Sequence, residues 1–117
     1  MGLTYIEGTA VGATGVEVPV RFLVDSGATY SLLPYDDWLQ LGLAPKRELV
    51  SSLADGTEVQ RQVSECYLRL PQGEGHSPVI LGEPGDEALL GAVTLEILGL
   101  VLNPFSRTLH PMRMLLA

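Results

Sequence analysis

One carboxylate of this sequence lies at the end of an apolar segment, where a charged group is unusual. Asp25 directly follows the apolar residues 22–24 and begins the tetrapeptide Asp-Ser-Gly-Ala at residues 25–28. Because a charge at the end of an apolar strand loses hydration, it is normally excluded unless hydrogen bonds or chemistry compensate. Asp25 either caps a tight turn by accepting hydrogen bonds from the N–H groups of Gly27 and Ala28, or acts as a catalytic acid–base group. The tetrapeptide alone favours the turn.

The other side chains that could carry chemistry are dispersed along the chain. His76 and His110 lie far apart beside proline-containing turns, and no spacing of Cys, His and Asp typical of a zinc site occurs. Ser26 and Ser31 lack the Gly-x-Ser-x-Gly sequence that exposes a nucleophilic serine. The single cysteine, Cys66, has no intrachain disulfide partner, and we expect it to be buried and inert. We therefore expect neither a metal nor another cofactor.

Two strands are predicted to position Asp25. Alternating apolar and polar residues predict strands over residues 3–11 and 16–24, joined by a turn at residues 12–15. Pro19 has no N–H, so the second strand should lie at a sheet edge or contain a bulge there. Asp25 would then occupy the turn that follows this second strand.

Hairpins and short helices are predicted for the rest of the chain. Residues 35–41 are expected to form a helix between Pro34 and Gly42, with Asp36 and Asp37 in its first turn and Trp38 packing. A long hairpin follows, with a two-residue turn at Asp55-Gly56 and arms over residues 48–53 and 57–70. The remaining predicted elements are a turn at residues 72–75, a strand at 79–81, a helix at 88–98 ending at Gly99, a strand at 100–102, a turn at 103–104 and a strand from Thr108.

Composition limits the class of protein and its partners. With 117 residues, 46% of them hydrophobic and 18% charged, the chain is typical of one small globular domain over residues 1–117. A chain of this length buries only about two-thirds of the surface that it exposes when unfolded. Association with a second copy would bury more surface and so add stability. A formal net charge of -7, with no basic run longer than Lys46-Arg47, argues against nucleic acid and anionic membranes. The lone cysteine and the absence of a long apolar segment or leader-like start predict a cytoplasmic location.

The segment around Asp25 resembles the active-site segment of retropepsin-like aspartic proteases. In that family apolar residues precede Asp-Thr/Ser-Gly-Ala, and a Ser/Thr-rich apolar stretch follows, as at residues 22–34 here. Residues 53–57, Leu-Ala-Asp-Gly-Thr, lie where the family has its flap hairpin, and residues 89–92, Leu-Leu-Gly-Ala, match its apolar-apolar-Gly motif before a helix. The resemblance extends over about residues 16–111, and the three motifs in order outweigh the interpretation of Asp25 as a simple turn residue.

The resemblance implies a fold and a site. The fold would be a mainly β, closed barrel with one or two short helices, active as a two-fold homodimer. Two Asp25 carboxylates, one per subunit, would share a proton and activate water to cut an extended polypeptide. The family pattern assigns Ser26 a hydrogen bond across the dimer interface and Gly27 a close backbone approach to the substrate, while Ala28 keeps the pair in a partly apolar setting.

The other two motifs receive supporting roles from the same resemblance. Leu90 and Gly91 would pack behind the catalytic loop, although ordinary core packing explains them equally well. Leu53, Ala54, Asp55, Gly56 and Thr57 would form a flap that closes over the substrate and binds its backbone, although an idle hairpin turn is the alternative. Retroviral proteases have flap tips richer in glycine than this one.

Two other functions fit the same residues. The dimer could hold an extended peptide or scaffold a complex without cutting, which replacement of the catalytic aspartate would favour; Asp25 is intact. The chain could also be a structural domain in which residues 25–28 are only a turn. A monomeric state at high concentration would favour this last possibility.

Overall fold

The computed structural model describes residues 2–113, and strands predominate in this part of the chain. Its strands are β1 (Tyr5–Val11), β2 (Glu17–Val24), β3 (Ser31–Leu33), β4 (Arg47–Ser52), β5 (Glu58–Leu70), β6 (Gly73–Leu81), β7 (Leu89–Leu90), β8 (Leu100–Asn103) and β9 (Thr108–Pro111). Two short helices accompany them, α1 (Tyr35–Leu41) and α2 (Ala92–Ile97).

Seven of these strands form one ring-like sheet. Their order is β1-β2-β7-β3-β6-β5-β4, and an additional pairing of β1 with β5 closes the first six into a ring. Among the described strands, β4 lies outside the ring and pairs only with β5, while β8 and β9 form a separate two-stranded sheet. The mainly β, barrel-like architecture expected from the sequence is confirmed.

The interior of the ring is lined by alternate residues of its strands. In β2, Val18, Val20, Phe22 and Val24 are buried and the residues between them are mostly exposed, as the period-two pattern predicts. Pro19 pairs with β1 on one side, whereas β7 reaches only the last two residues of β2 on the other. Pro19 therefore lies on an edge stretch, where its missing N–H is tolerated.

The parallel pairings determine where the chain after β2 must run. β7 lies parallel to β2 and antiparallel to β3, and β3 lies parallel to β6. The two short strands β3 and β7 thus lie side by side in the middle of the sheet. The loop after β2, which contains Asp25, and the segment after β7, which begins α2, start from neighbouring strand ends.

The first helix was predicted correctly. α1 begins after Pro34 and ends at Gly42, whose N–H donates to carbonyl groups of the last turn. Partial burial raises the pKa of the Asp37 carboxyl above its usual value, and the charge of Asp36 adds to this effect. The Trp38 indole N–H donates to the Gly82 carbonyl at 2.8 Å, and its ring packs edge-on against Tyr35 at 5.4 Å between centroids.

The predicted bounds of two segments were wrong, and one strand was missed. The turn expected at residues 72–75 is shorter, and β6 already begins at Gly73. The helix expected over residues 88–98 begins only at Ala92, because Leu89 and Leu90 pair with β2 and β3 as a strand. β3 was not predicted at all, since three residues are too few to show a period.

Candidate active site

Asp25 occupies the first position after β2, at the start of the catalytic-loop candidate formed by residues 25–30. Its backbone N–H donates to the Leu90 carbonyl at 3.0 Å, which extends the pairing of β2 with β7. Its carboxylate is exposed and accepts a hydrogen bond from the Gly27 N–H at Oδ1, 2.9 Å away. Within residues 2–113 no hydrogen bond involves the second oxygen, Oδ2. One carboxylate oxygen is therefore held by the loop, and the other has no hydrogen bond within residues 2–113.

Only part of the hydrogen bonding expected for Asp25 as a turn cap is present. Gly27 donates to the side chain as that interpretation requires, whereas Ala28 donates to the Asp25 backbone carbonyl at 3.1 Å. A Cβ placed on Gly27 would lie 3.2 Å from Asp25 Oδ1, so a side chain here would crowd the carboxylate. The turn and a catalytic role are compatible, because the turn hydrogen bond fixes the orientation of the carboxylate.

Gly91 supports the catalytic-loop candidate from behind. A Cβ on Gly91 would lie 2.5 Å from the Tyr30 carbonyl carbon and 3.0 Å from the Ala28 carbonyl oxygen, so only glycine allows this close approach. The next two N–H groups, of Ala92 and Val93, donate to the carbonyls of Ala28 and Thr29 at 2.8 and 2.9 Å. These N–H groups begin α2 and have no partner within the helix. The loop carbonyls thus accept hydrogen bonds from the first N–H groups of α2, and the same bonds fix the loop against the helix.

Three buried hydroxyl groups continue this support into the core. Ser31 Oγ accepts a hydrogen bond from the Gly91 N–H at 3.0 Å and also contacts Thr94 Oγ1. Thr94 Oγ1 lies 2.7 Å from Ser77 Oγ on β6. Sequence reasoning missed Ser77 and Thr94 and treated Ser31 only as a possible nucleophile, because nothing local links residues 17 and 63 positions apart.

The long hairpin of β4 and β5 differs from the prediction by one residue. Ser52 pairs with Glu58, and the Leu53 N–H donates to the Thr57 carbonyl at 2.7 Å, so the loop is Ala54-Asp55-Gly56 and not the two-residue turn Asp55-Gly56. The Gly56 N–H donates to the Leu53 carbonyl, and Gly56 has a left-handed φ of 86°, the arrangement of a three-residue hairpin loop ending in a bulge. This difference in register changes which residues of the two arms lie opposite each other, and therefore which side chains share a face of the hairpin.

The tip of this hairpin, residues 53–57, is exposed throughout. Hydrogen bonds from the Thr57 N–H, and next from its hydroxyl, lower the pKa of the Asp55 carboxyl. The base of the hairpin reaches the catalytic-loop candidate, since Arg47 Nη2 lies 3.3 Å from the Tyr30 hydroxyl and donates to it. In the described part of the chain no hydrogen bond or ion pair joins the tip to residues 25–28.

A small cavity opens beside Ser26. Its volume is about 220 Å³, and its walls come from the catalytic-loop candidate, from α2 and from the β8–β9 sheet; they comprise Ser26, Ala92, Leu95, Glu96, Leu100, Val101, Leu102 and Met112. α2 and the β8–β9 sheet also carry exposed apolar side chains: Ile97 and Val101 are about half exposed, and Phe105, in the turn between β8 and β9, is 90% exposed. We call this surface the α2–β9 face.

The remaining sequence candidates lie elsewhere. His76 packs edge-on against Tyr67, and His110 contacts the Thr108 hydroxyl. Cys66 is buried, and desolvation raises the pKa of its thiol, which keeps it protonated. Among residues 2–113, no group of three or more His, Cys, Asp or Glu side chains could hold a metal ion. The same residues include no helix that is long and apolar enough to span a bilayer.

Comparison with known proteins gives this geometry a family. A comparison with curated sequences finds no match. Among solved structures, the simian foamy virus (mac) protease is similar to the chain, with a TM-score of 0.57 and 21% identity over 79% of this chain and 91% of the viral one. At that identity the likeness supports the fold alone. A family model described as aspartyl protease matches residues 7–93, which include Asp25, the β4–β5 hairpin and Gly91. The chain therefore belongs to the retropepsin-like aspartyl protease family.

Proposed function

We propose that the protein is a homodimeric aspartic endopeptidase in which Asp25 of each subunit supplies one of two catalytic carboxylates. The observation that carries this proposal is the exposed Asp25 carboxylate, held at one oxygen by the Gly27 N–H on a loop that Gly91 and α2 immobilise. Membership of an aspartyl protease family supports the same reading. A single chain supplies one such loop, so the site is complete only in a dimer.

The chemistry follows from two carboxylates at close range. Like charges a few ångströms apart repel strongly, so the pair holds one proton between its two members. The ionised carboxylate takes a proton from a water molecule as that water attacks the peptide carbonyl, and the protonated one donates to the substrate. As the amide bond breaks, the carboxyl group that took the water proton passes it to the leaving nitrogen, and the other carboxylate takes a proton from a hydroxyl of the tetrahedral intermediate, so the pair again holds one proton. No metal or other cofactor is needed for this sequence.

The second subunit is expected to cover the α2–β9 face. Ser26 lines the cavity on this face, so a partner that brings its own Asp25 close to this one must also lie close to Ser26. The exposed Ile97, Val101 and Phe105 supply apolar area whose burial stabilises association. In a two-fold dimer each copy offers the same surface to the other. Ser26 then lies at the subunit boundary, where its hydroxyl can bond across it.

The β4–β5 hairpin is proposed to cover the bound substrate. Its tip, Leu53 to Thr57, is exposed, while Arg47 at its base is anchored to Tyr30 of the catalytic loop. A hairpin held at the base and free at the tip suits a lid that closes over an extended polypeptide and excludes water. Within residues 2–113, no strand pairs with the outer edge of β4, and such an edge suits pairing with a peptide backbone.

The test is peptide hydrolysis by Asp25→Asn and by a matched control, Asp36→Asn, which removes an exposed carboxylate of α1. We expect Asp25→Asn to remain dimeric by sedimentation and to lose hydrolysis of an unstructured polypeptide at acidic to mildly acidic pH. The control should retain both properties. Undiminished cleavage by Asp25→Asn would place the activity elsewhere. A wild-type dimer that binds peptide but never cuts it would indicate a non-catalytic peptide-binding dimer.

A further inference from the structure

The buried hydroxyls of Ser31, Ser77 and Thr94 form a cluster that packing alone does not explain. Their residues are 0%, 1% and 0% exposed, and they lie next to the apolar core. A hydroxyl moved from water into such a place lowers stability unless it is hydrogen-bonded. Apolar side chains of similar shape would fill the same space but would leave the buried Gly91 N–H without the hydroxyl oxygen that accepts from it. The hydroxyls therefore provide a directional hydrogen bond to Gly91, which apolar groups cannot provide.

The positions of all the protons in this cluster follow from counting donors. Each hydroxyl has one proton to donate. Ser77 Oγ lies 3.2 Å from the Pro78 carbonyl, which can only accept, so Ser77 donates there and accepts from Thr94. Thr94 has then used its proton and must accept from Ser31. Ser31 in turn accepts from the Gly91 N–H, which can only donate.

The four hydrogen bonds consequently run in one direction. They begin at the Gly91 N–H and pass through Ser31, Thr94 and Ser77 to the Pro78 carbonyl on β6. No other assignment satisfies all four contacts, and within residues 2–113 no buried side-chain nitrogen or oxygen lacks a partner. Hydrogen bonds aligned in this way polarise and strengthen one another. We call this series the hydroxyl relay.

The relay begins at a residue that lies in close contact with the catalytic loop. Its first member, Gly91, lies against the carbonyl groups of Tyr30 and Ala28. The preceding residue, Leu90, accepts the hydrogen bond from the Asp25 N–H. A shift of Gly91 would therefore move the loop at two points, from behind and through the Asp25 backbone.

We propose that Thr94 is a positioning residue whose hydroxyl, at the centre of the relay, holds Gly91 and thereby orients the Asp25 carboxylate for catalysis. This inference rests on the proposed peptidase function. Thr94 lies in α2, whose first N–H groups also bind the loop. One short helix thus controls the loop by its backbone and by this side chain.

The experiment compares Thr94→Val, which replaces the hydroxyl with a methyl group, with Thr94→Ser, which keeps the hydroxyl. Val79→Ala is the matched control, because Val79 is 0% exposed on β6 and pairs with Ser31 without belonging to the relay. We expect Thr94→Val to lower kcat about tenfold with KM nearly unchanged, as misplacement of a catalytic group does. Thr94→Ser should restore kcat. Val79→Ala should lower the melting temperature and leave kcat close to wild type.

A second readout does not depend on hydrolysis. In NMR spectra of the dimer, the Gly91 amide and the Asp25 carboxyl carbon should shift in Thr94→Val, return towards wild type in Thr94→Ser, and stay in place in Val79→Ala. If Thr94→Val does not fold, Ser77→Ala interrupts the same relay farther from the loop and should give the same changes, smaller in size.

Two results would overturn the proposal: unchanged kcat and unchanged Gly91 and Asp25 resonances in Thr94→Val, or equal changes in Val79→Ala. If the wild type cuts no peptide, the proposed function fails, and the NMR comparison alone decides whether the relay positions Asp25. The two failures are therefore distinguishable.

Discussion

Replacing Gly91 by alanine tests the support of the catalytic loop most severely. The new Cβ would lie 2.5 Å from the Tyr30 carbonyl carbon and 2.6 Å from its oxygen. Unstrained contacts of this kind are about 3.4 Å or longer, so the two backbone segments must separate by nearly 1 Å. Both segments are tied by the hydrogen bonds from Ala92 and Val93 to the loop, so the separation strains or breaks those bonds.

The magnitude follows from this forced separation. Overpacking against backbone costs about 1–3 kcal/mol of folding free energy, which corresponds to a melting temperature lowered by about 4–12 °C for a chain of this size. A displacement of nearly 1 Å at the Asp25 loop should reduce kcat/KM about a hundredfold. The loss of activity should therefore exceed what the fraction of unfolded protein explains at 25 °C.

The assay measures thermal unfolding and peptide hydrolysis on the same samples, with Gly73→Ala as the control. Gly73 lies at the start of β6, where an added Cβ would have its nearest contact at 3.7 Å, an ordinary distance. Gly73→Ala should be neutral in both measurements. A Gly91→Ala protein with the melting temperature and kcat/KM of the wild type would refute the argument that this glycine is required by close approach to the loop.

Two further predictions concern the hairpin tip and α1. Gly56→Val should strain a backbone with φ of 86° and lower kcat/KM more than stability, because the tip is exposed; wild-type kinetics would argue against a lid. Asp37→Asn should stabilise the protein at neutral pH by less than about 1 kcal/mol, since burial raises the pKa of this carboxyl and its ionised form opposes folding. The gain should vanish as pH falls below the unfolded-state pKa, where both states hold the proton. Glu58→Gln, which removes an exposed carboxylate of β5, is the control; a gain that persists in acid by urea unfolding would contradict this reasoning.

Local patterns in the sequence predicted the elements that local forces determine. The alternation in β2 and the Pro34 and Gly42 boundaries of α1 were sufficient to place both elements correctly. The Asp55-Gly56 pair placed the hairpin but not its register, because the same dipeptide fits both a two-residue turn and the last positions of a three-residue loop. A one-residue difference in register moves the side chains of one arm to the opposite face relative to those of the other arm.

Long-range pairing explains what the sequence did not reveal. Leu89 and Leu90 have the composition of a helix, yet they form a strand because β2 and β3 lie on either side of them. Asp25 and Gly91 were both singled out from the sequence as candidate site residues, but the contact between Gly91 and Tyr30 is visible only in the folded backbone. The hydroxyl relay joins residues of β3, α2 and β6, and no spacing in the sequence brings them together.

Subunit mixing tests the central claim, that two Asp25 carboxylates from two chains form one site, most directly. Wild-type and Asp25→Asn chains are refolded together in equal amounts, and hydrolysis is compared with that of wild type alone at the same total concentration. If both carboxylates are required, only dimers of two wild-type chains are active, and random pairing leaves about one quarter of the activity. The same mixture made with Asp36→Asn should keep all of it. A value of about one half would mean that each chain works with its own Asp25, and it would contradict the shared site.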